Sequence, residues 1–140
     1  MTDTSSTDPT FTPAVHYQEP KAAVAWLERA FGFEITEAID GPGGNQTMSH
    51  YELGVGGRGR VMAGGEWNAT VRSPASVEGV NTQTVHVLLT EDLDAHCERA
   101  RAAGAVIVAE PTDEPYGDRV YRAADPEGHL WTFAMHLRDA

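Results

Sequence analysis

The sequence is poor in cysteine, in long apolar runs and in targeting signals, and each shortage excludes a class of protein. Cys97 is the single cysteine, so no internal disulfide forms, and we expect a cytoplasmic protein. No run of about 18 apolar residues occurs, which argues against a membrane-spanning helix. Residues 1–10 lack the basic start and apolar core of a signal peptide, and we predict a disordered tail there.

Basic residues are also scarce. The 140 residues include 10 Lys and Arg against 21 Asp and Glu, which gives a net charge of −11. Because nucleic acids and anionic membranes bind mainly through Lys and Arg, we expect neither as a partner. The negative charge favours a cationic ligand wherever acidic side chains line a cleft. At 41% hydrophobic and 22% charged, the composition is that of a folded globular domain.

The chain contains a weak internal repeat. Glu-Arg-Ala at residues 28–30 recurs at residues 98–100, and the helix-ending Gly32 is echoed by Gly104. Each half is predicted to contain a strand, a helix and a meander of strands. Pro20 suits the first turn of one helix, and Thr90 or Asp92 can cap the other. We predict module one at residues 11–64, a linker at 65–83 and module two at 84–137, within one α+β domain at 11–140.

Three sets of residues carry a resemblance to a known family. They are residues 25–34 (AWLERAFGFE), residues 91–96 (EDLDAH) with 102–105 (AAGA), and residues 116–119 (YGDR) followed by 125–131 (DPEGHLW). Together they resemble the vicinal oxygen chelate superfamily, which contains glyoxalases, bleomycin-resistance proteins and extradiol dioxygenases, and above all its small bacterial glyoxalase-like members. The resemblance implies two tandem βαβββ modules that each curl into a half-barrel around a cavity, with two chains pairing as a homodimer.

The resemblance also implies where a metal would bind. In metal-dependent relatives, a divalent ion is held by His, Gln or Glu from the first and last strands of each module. The matching positions here are Thr12, Val85, Thr132 and either Met62 or Ala63. None of these is a His or carboxylate ligand, so we predict no metal and no cofactor. A register shift of one residue in the fifth strand would bring in His86.

Strand alternation nevertheless groups other polar residues. His16 is predicted to face the cavity, and His50 and Glu52 share one face of the third strand. Two histidines and one glutamate match the ligand count of open catalytic metal sites, so the alternative is a metal-dependent lyase, isomerase or dioxygenase that uses these three residues. His50 and Glu52 are also the best acid–base candidates, although a solvated hairpin face would look the same.

Several further side chains have more than one interpretation. Trp67 lies in the polar linker, at the rim of a ligand pocket or at a dimer contact. Tyr116, Arg119 and Tyr121 surround the turn before the penultimate strand. Arg119 can bind a ligand carboxylate, or it can form a structural clamp with Asp118.

Other residues are expected to serve the fold. We expect His96, on the second helix, and His129, in a turn, to be solvated. Cys97 is predicted to be a small buried side chain, and Trp131 and Phe133 to belong to the core.

The leading hypothesis is a metal-free cavity that binds or sequesters a hydrophobic or aromatic metabolite or drug, or converts it without a cofactor. The sequence leaves the ligand, and whether the protein is an enzyme, open. The predicted ligand-binding residues are His16, His50, Glu52, Trp67, Tyr116, Arg119 and Tyr121.

Overall fold

The computed structural model describes residues 9–137 as two modules of the same design, each a strand, a helix and three further strands. Module one comprises β1 (Ala14–Tyr17), α1 (Pro20–Phe31), β2 (Glu34–Ile39), β3 (His50–Gly54) and β4 (Arg60–Gly65). Module two comprises β5 (Val85–Leu88), α2 (Leu93–Ala102), β6 (Val106–Asp113), β7 (Asp118–Ala124) and β8 (Leu130–His136). The predicted α+β fold of two tandem βαβββ half-barrel modules is confirmed. Most of the tail predicted at residues 1–10 lies outside the described residues.

Each module builds one mixed sheet of four strands. The strand orders are β1-β4-β3-β2 and β5-β8-β7-β6, in which the first pair of each sheet is parallel and the others are antiparallel. Alternate residues of each strand are buried against the helices, and the residues between them form an outward face. Among the described residues, neither helix is long and apolar enough to cross a membrane.

An aromatic cluster joins the two modules into one core. Phe31 of module one lies 4.7 Å from Phe133 of module two, measured between ring centroids, and Phe33 lies 5.4 Å from Trp131. Phe133 also stacks on Tyr121 at 5.1 Å. Large aromatic rings bury much apolar area, so this cluster binds the modules strongly. The prediction that Trp131 and Phe133 belong to the core is confirmed.

The helices complete each other's C-terminal ends. Trp26 of α1 donates its indole N–H to the carbonyl oxygen of Ala103 at 2.7 Å, just beyond α2. His96, at the corresponding position of α2, donates Nε2–H to the carbonyl oxygen of Phe31 at 2.9 Å. The last carbonyls of a helix lack intrahelical partners, so each module satisfies the other. The expectation that His96 is solvated is wrong, because this contact leaves it 3% exposed.

Residues of module two also form hydrogen bonds near both ends of α1. Arg99 donates Nε–H to the carbonyl oxygen of Arg29 at 2.9 Å, near the C-terminal end of α1. At the other end, the Glu127 carboxylate accepts hydrogen bonds from the backbone N–H groups of Gln18 at 2.7 Å and Glu19 at 3.1 Å. A carboxylate in front of a helix also interacts favourably with its dipole. Glu19, the N-cap residue, makes no side-chain capping bond of its own.

A buried carboxylate forms the tightest junction between the modules. Asp125 Oδ2 accepts hydrogen bonds from Tyr17 OH of β1 at 2.6 Å and from Trp131 Nε1 at 3.1 Å. Its Oδ1 accepts the backbone N–H groups of Glu127 and His129, both at 3.1 Å. Four donors therefore compensate the burial of this charge. Burial raises the pKa of Tyr17 well above its usual value, which keeps the hydroxyl a donor.

The same turn buries a second residue that we expected to be solvated. His129 donates Nε2–H to the carbonyl oxygen of His16 at 2.7 Å, and its ring packs edge-on against Tyr17 at 4.7 Å. The expectation for His129 is therefore wrong, because the turn folds back onto β1 instead of facing solvent. The expectations for Cys97, which is buried, and for Asp92, which caps α2, are confirmed.

Removing the junction hydroxyl tests its contribution. We expect Tyr17→Phe to lower the free energy of unfolding by about 1.5–3 kcal/mol, because a hydrogen bond to a buried charge is lost. Tyr51→Phe is the matched control, since Tyr51 OH also lies 2.6 Å from a carboxylate, that of Asp40, whose side chain is 59% exposed. Urea denaturation followed by circular dichroism measures both. Equal losses in the two variants would contradict the assignment.

His96 predicts a pH dependence of stability. Burial lowers its pKa, so the folded protein resists a proton that the unfolded chain accepts near pH 6.5. The contribution of His96 to the free energy of unfolding is therefore present in full above that pH. Below it, this contribution falls by up to about 1.4 kcal/mol per pH unit, until His96 of the folded protein is protonated. We expect His96→Gln to flatten this slope between pH 7.5 and 5.5 in denaturation experiments. His16, whose pKa burial also lowers, contributes equally in both proteins. An unchanged slope in the variant would refute this role.

Candidate functional site

The outward face of module one carries three of the predicted site residues. His16 and His50 are both in register with Gly64, which lies between them on β4. The two imidazole rings make hydrogen bonds to different partners. His16 Nδ1 donates to the carbonyl oxygen of Gly65 at 3.2 Å, whereas His50 lies next to Glu52. The three residues therefore share a face but do not form one cluster.

His50 and Glu52 belong to a different cluster, with Glu37. His50 Nε2 donates to Glu52 Oε2 at 3.0 Å, and Arg60 Nη1 donates to Glu52 Oε1 at 3.0 Å. The hydrogen bond from His50 lowers the pKa of Glu52 below its usual value. One ligand atom from each of Glu37, His50 and Glu52 lies within 4.8 Å of the other two. Glu52 is thus held ionised beside an imidazole and a second carboxylate.

Sequence reasoning missed Glu37 because of a local irregularity. Ile35 is paired with Leu53 and turned towards the core, so strict alternation would turn Glu37 inward as well. A β-bulge between these two residues shifts the register, and Glu37 instead pairs with Glu52 on the outward face. Nothing in the alternation of the sequence marks the extra residue.

The outward face of module two has different chemistry. His86 is in register with Thr132, and Thr132 with Arg122, whereas Val85 packs against the core. The resemblance matched the metal position of this strand to Val85. The structure corrects that match by one residue, because Val85 faces the core and His86 is exposed. His86, Thr132 and Arg122 therefore place one imidazole, one hydroxyl and one guanidinium on neighbouring strands of this face.

Arg119 forms a structural clamp, but with other partners than expected. Its guanidinium binds Asp94 of α2 at 3.0 Å and Asp113 of β6 at 2.8 Å. Asp118 instead contacts His136 at 2.6 Å. The expected Asp118–Arg119 pair is wrong because adjacent residues of a strand point to opposite faces. Arg119 ties α2 to the edge of its sheet.

The remaining predicted residues lie apart from one another. Trp67 is exposed in the loop after β4, and Tyr116 is exposed in the turn between β6 and β7. Tyr121 is fully buried beneath α2, where its hydroxyl donates to His96 Nδ1 at 2.6 Å. A ligand on the outward face of module two therefore cannot touch Tyr121.

A cleft of about 440 Å³ opens where the β3–β4 turn of module one approaches the edge strand β5 of module two. None of the seven predicted ligand-binding residues is among the described residues that line it. No Asp or Glu is among the described residues that line the cleft, so the negative charge of the protein is not concentrated there. The buried side chains of Phe33, Leu53, Val61 and Trp131 form its floor, and its walls are Pro9, Phe11, Pro13, Gly54, Val55, Arg58, Gly59, Arg60, Val85, His86, Val87 and Leu88.

The internal repeat shows how the two junctions differ. At the opposite junction, Tyr17 of β1 donates a hydrogen bond of 2.6 Å to Asp125 of the β7–β8 turn. The corresponding positions, 70 residues later and 69 residues earlier in the chain, are Val87 and Gly56. Both are smaller, and Gly56 has a positive φ of 59° that favours glycine in the turn. Neither Val87 nor Gly56 has a side chain that could form such a hydrogen bond, and the floor of the cleft is apolar.

The chain is similar to a known protein family and to individual proteins. The family model described as "Glyoxalase/Bleomycin resistance protein/Dioxygenase superfamily" matches residues 13–133. The uncharacterized protein Mb0911c of Mycobacterium bovis is 29% identical over 139 residues, which cover 94% of this chain and 86% of that protein.

Solved structures share the architecture. TioX from Micromonospora sp. ML1 is 35% identical, with a TM-score of 0.68 over 92% of this chain and 99% of its own. TnmS3, described as an antibiotic binding protein from Streptomyces sp. CB03234, is 20% identical, with a TM-score of 0.67 over 91% and 97% of the two chains. At that identity, the second likeness concerns the fold alone.

Proposed function

We propose that this chain, which belongs to the glyoxalase/bleomycin resistance protein/dioxygenase superfamily, binds or sequesters a hydrophobic or aromatic small molecule in the cleft between its modules. The cleft itself carries the proposal. Its volume of about 440 Å³ falls within the range of roughly 300–1,000 Å³ typical of small-molecule sites. Its floor of buried apolar and aromatic side chains offers a desolvated surface to a flat apolar ligand.

The proposed mechanism is enclosure without metal or cofactor. Trp131 and Phe33 supply aromatic contacts at the floor, while Arg58 and His86 supply polar groups at the rim. Among the described lining residues, His86 is the one imidazole, the side chain that most often serves as a general acid or base. Acid–base conversion of the ligand would therefore depend on His86 alone, and binding is the better-supported activity. The rim favours a neutral or anionic ligand over the cation that the net charge had suggested.

The relatives support the ligand class. TnmS3 is described as an antibiotic binding protein and shares the fold. A drug or metabolite with aromatic rings is thus a reasonable ligand for this chain as well. We place the protein in the cytoplasm, where a lone buried thiol such as Cys97 stays reduced.

Filling the cleft tests the proposal. We expect the aromatic probe 1-anilinonaphthalene-8-sulfonate to bind with a rise in fluorescence, and Val87→Tyr to weaken its affinity about tenfold or more. The added ring would occupy the space that Tyr17 fills at the opposite junction. Val80→Tyr is the matched control, since Val80 does not line the cleft and is 57% exposed in the segment between the modules.

Two further readouts complete this experiment. Quenching of tryptophan emission should accompany binding of the probe and should persist in Trp67→Phe, because Trp131 lines the cleft and Trp67 does not. A panel of aromatic antibiotics, screened by thermal shift and calorimetry, should contain ligands that compete with the probe. Unchanged affinity in Val87→Tyr, with the fold retained by circular dichroism, would refute the cleft as the site.

We also propose that two copies of the chain pair through their outward faces. Large apolar side chains remain uncovered there, with Ile39 at the edge of module one and Leu88, Val106 and Val108 on module two. Val106 is 63% exposed although it lies within β6 and pairs with Ala124. Grouped exposed apolar side chains commonly mark an interaction surface. A second copy offers a face of matching character, which supports the homodimer that the resemblance implies.

The oligomeric state is directly measurable. We expect size-exclusion chromatography with light scattering to give twice the chain mass of 15.1 kDa. Val106→Lys should shift the protein towards the monomer on dilution, because a charge would be buried at the contact. Val80→Lys should not, since Val80 lies in the segment between the modules although it is 57% exposed. A monomer at all concentrations would disprove the pairing.

A further inference from the structure

The geometry points to a site for a divalent transition-metal ion on the outward face of module one, formed by Glu37, His50 and Glu52. These side chains offer one imidazole and two carboxylates, and one ligand atom of each lies within 4.8 Å of the others. The set differs from the positions that the family resemblance implies, because it lies on β2 and β3 instead of on the first and last strands of the modules.

The distances suit a metal ion. His50 Nε2 and Glu52 Oε2 are 3.0 Å apart. Two ligands of a tetrahedral zinc ion, each at about 2.0–2.1 Å, are separated by roughly 3.3 Å. The pair therefore needs to open only slightly to admit the ion. Glu37 is exposed and can complete the set by a side-chain rotation.

The electrostatics also favour a cation. Glu37 and Glu52 are directly opposed in the antiparallel pair of β2 and β3. Like charges at such cross-strand positions are destabilising, so a bound divalent ion would relieve a repulsion that the free protein carries. Arg60 binds Glu52 Oε1 at 3.0 Å, which fixes that carboxylate and leaves Oε2 directed towards His50. Hydrogen-bond partners orient metal ligands, and with Arg60 counted the two carboxylates still leave a net negative charge.

The backbone supplies an independent argument. The β-bulge after Ile35 brings Glu37 from the core side to the outward face, beside Glu52. Bulges commonly re-aim a side chain next to a functional site. A regular strand would have placed a carboxylate towards the apolar core, and Thr36 would have faced outward in its place.

The ligand set selects the class of ion. Imidazole suits Zn²⁺ and Fe²⁺, and carboxylates suit Mn²⁺, whereas Ca²⁺ and Mg²⁺ prefer oxygen ligands alone. Thiolate-seeking ions are excluded from this site, since Cys97 is buried in α2. Zinc is therefore the appropriate probe.

Calorimetry with zinc chloride tests the site. We expect untagged, chelator-treated protein to bind one Zn²⁺ per chain, and His50→Gln and Glu37→Gln each to weaken the affinity about tenfold or more. Glu28→Gln is the control, because it removes the same charge from an exposed position on α1 and should leave the affinity unchanged. Nitrogen NMR should show a zinc-dependent shift of His50 Nε2.

The outcomes are decisive and separate from those of the cleft. Absence of zinc binding, or binding that His50→Gln does not weaken, would overturn the proposal, since other histidines would then hold the ion. Circular dichroism confirms that each variant is folded. Val87→Tyr should leave zinc affinity intact, and Glu37→Gln should leave probe binding intact, so either proposal can fail alone.

Discussion

The rest of the structure depends on the hydrogen bonds that a side chain of each helix donates to a carbonyl group at the C-terminal end of the other helix. Trp26 and His96 occupy equivalent places in the two modules and each satisfies a carbonyl group at the end of the other helix. Carbonyl groups buried without partners would be costly, so the two modules fix each other's position. Glu127 adds a contact in front of α1. The shared aromatic core lies between the surfaces that these polar contacts hold together.

Departures from the repeat create the features that set the two junctions apart. Where Tyr17 meets the buried Asp125, the junction is closed by a short hydrogen bond and packed aromatic rings. At the related junction, Val87 and a glycine-rich turn leave apolar space. A duplicated module can therefore join a strand and a turn by a buried hydrogen bond at one junction and present apolar side chains at the other. The difference amounts to a few side chains, with the backbone design unchanged.

Local signals in the sequence were sufficient for the fold, whereas burial at the module junction was not predictable. Pro20 and Gly32 act through their own backbone, and Asp92 acts through a side chain that accepts nearby backbone N–H groups, so the helix boundaries followed from local residues. The burial of His96 depends on which helix packs against it, and that information lies 65 residues away. Glu37 depends on a bulge that alternation cannot reveal. The cleft draws on distant segments, so no single motif could have indicated it.

The distribution of charge separates the two candidate sites chemically. Much of the acidic excess is occupied by the fold, as with Asp125 at the junction. Glu37 of β2 and Glu52 of β3 concentrate negative charge on one face of this strand pair, while the opposite face presents Leu53 to the cleft. Arg60 takes part in both, since it binds Glu52 and also lines the cleft. The two candidate sites therefore differ in charge although they are built on neighbouring strands of one sheet.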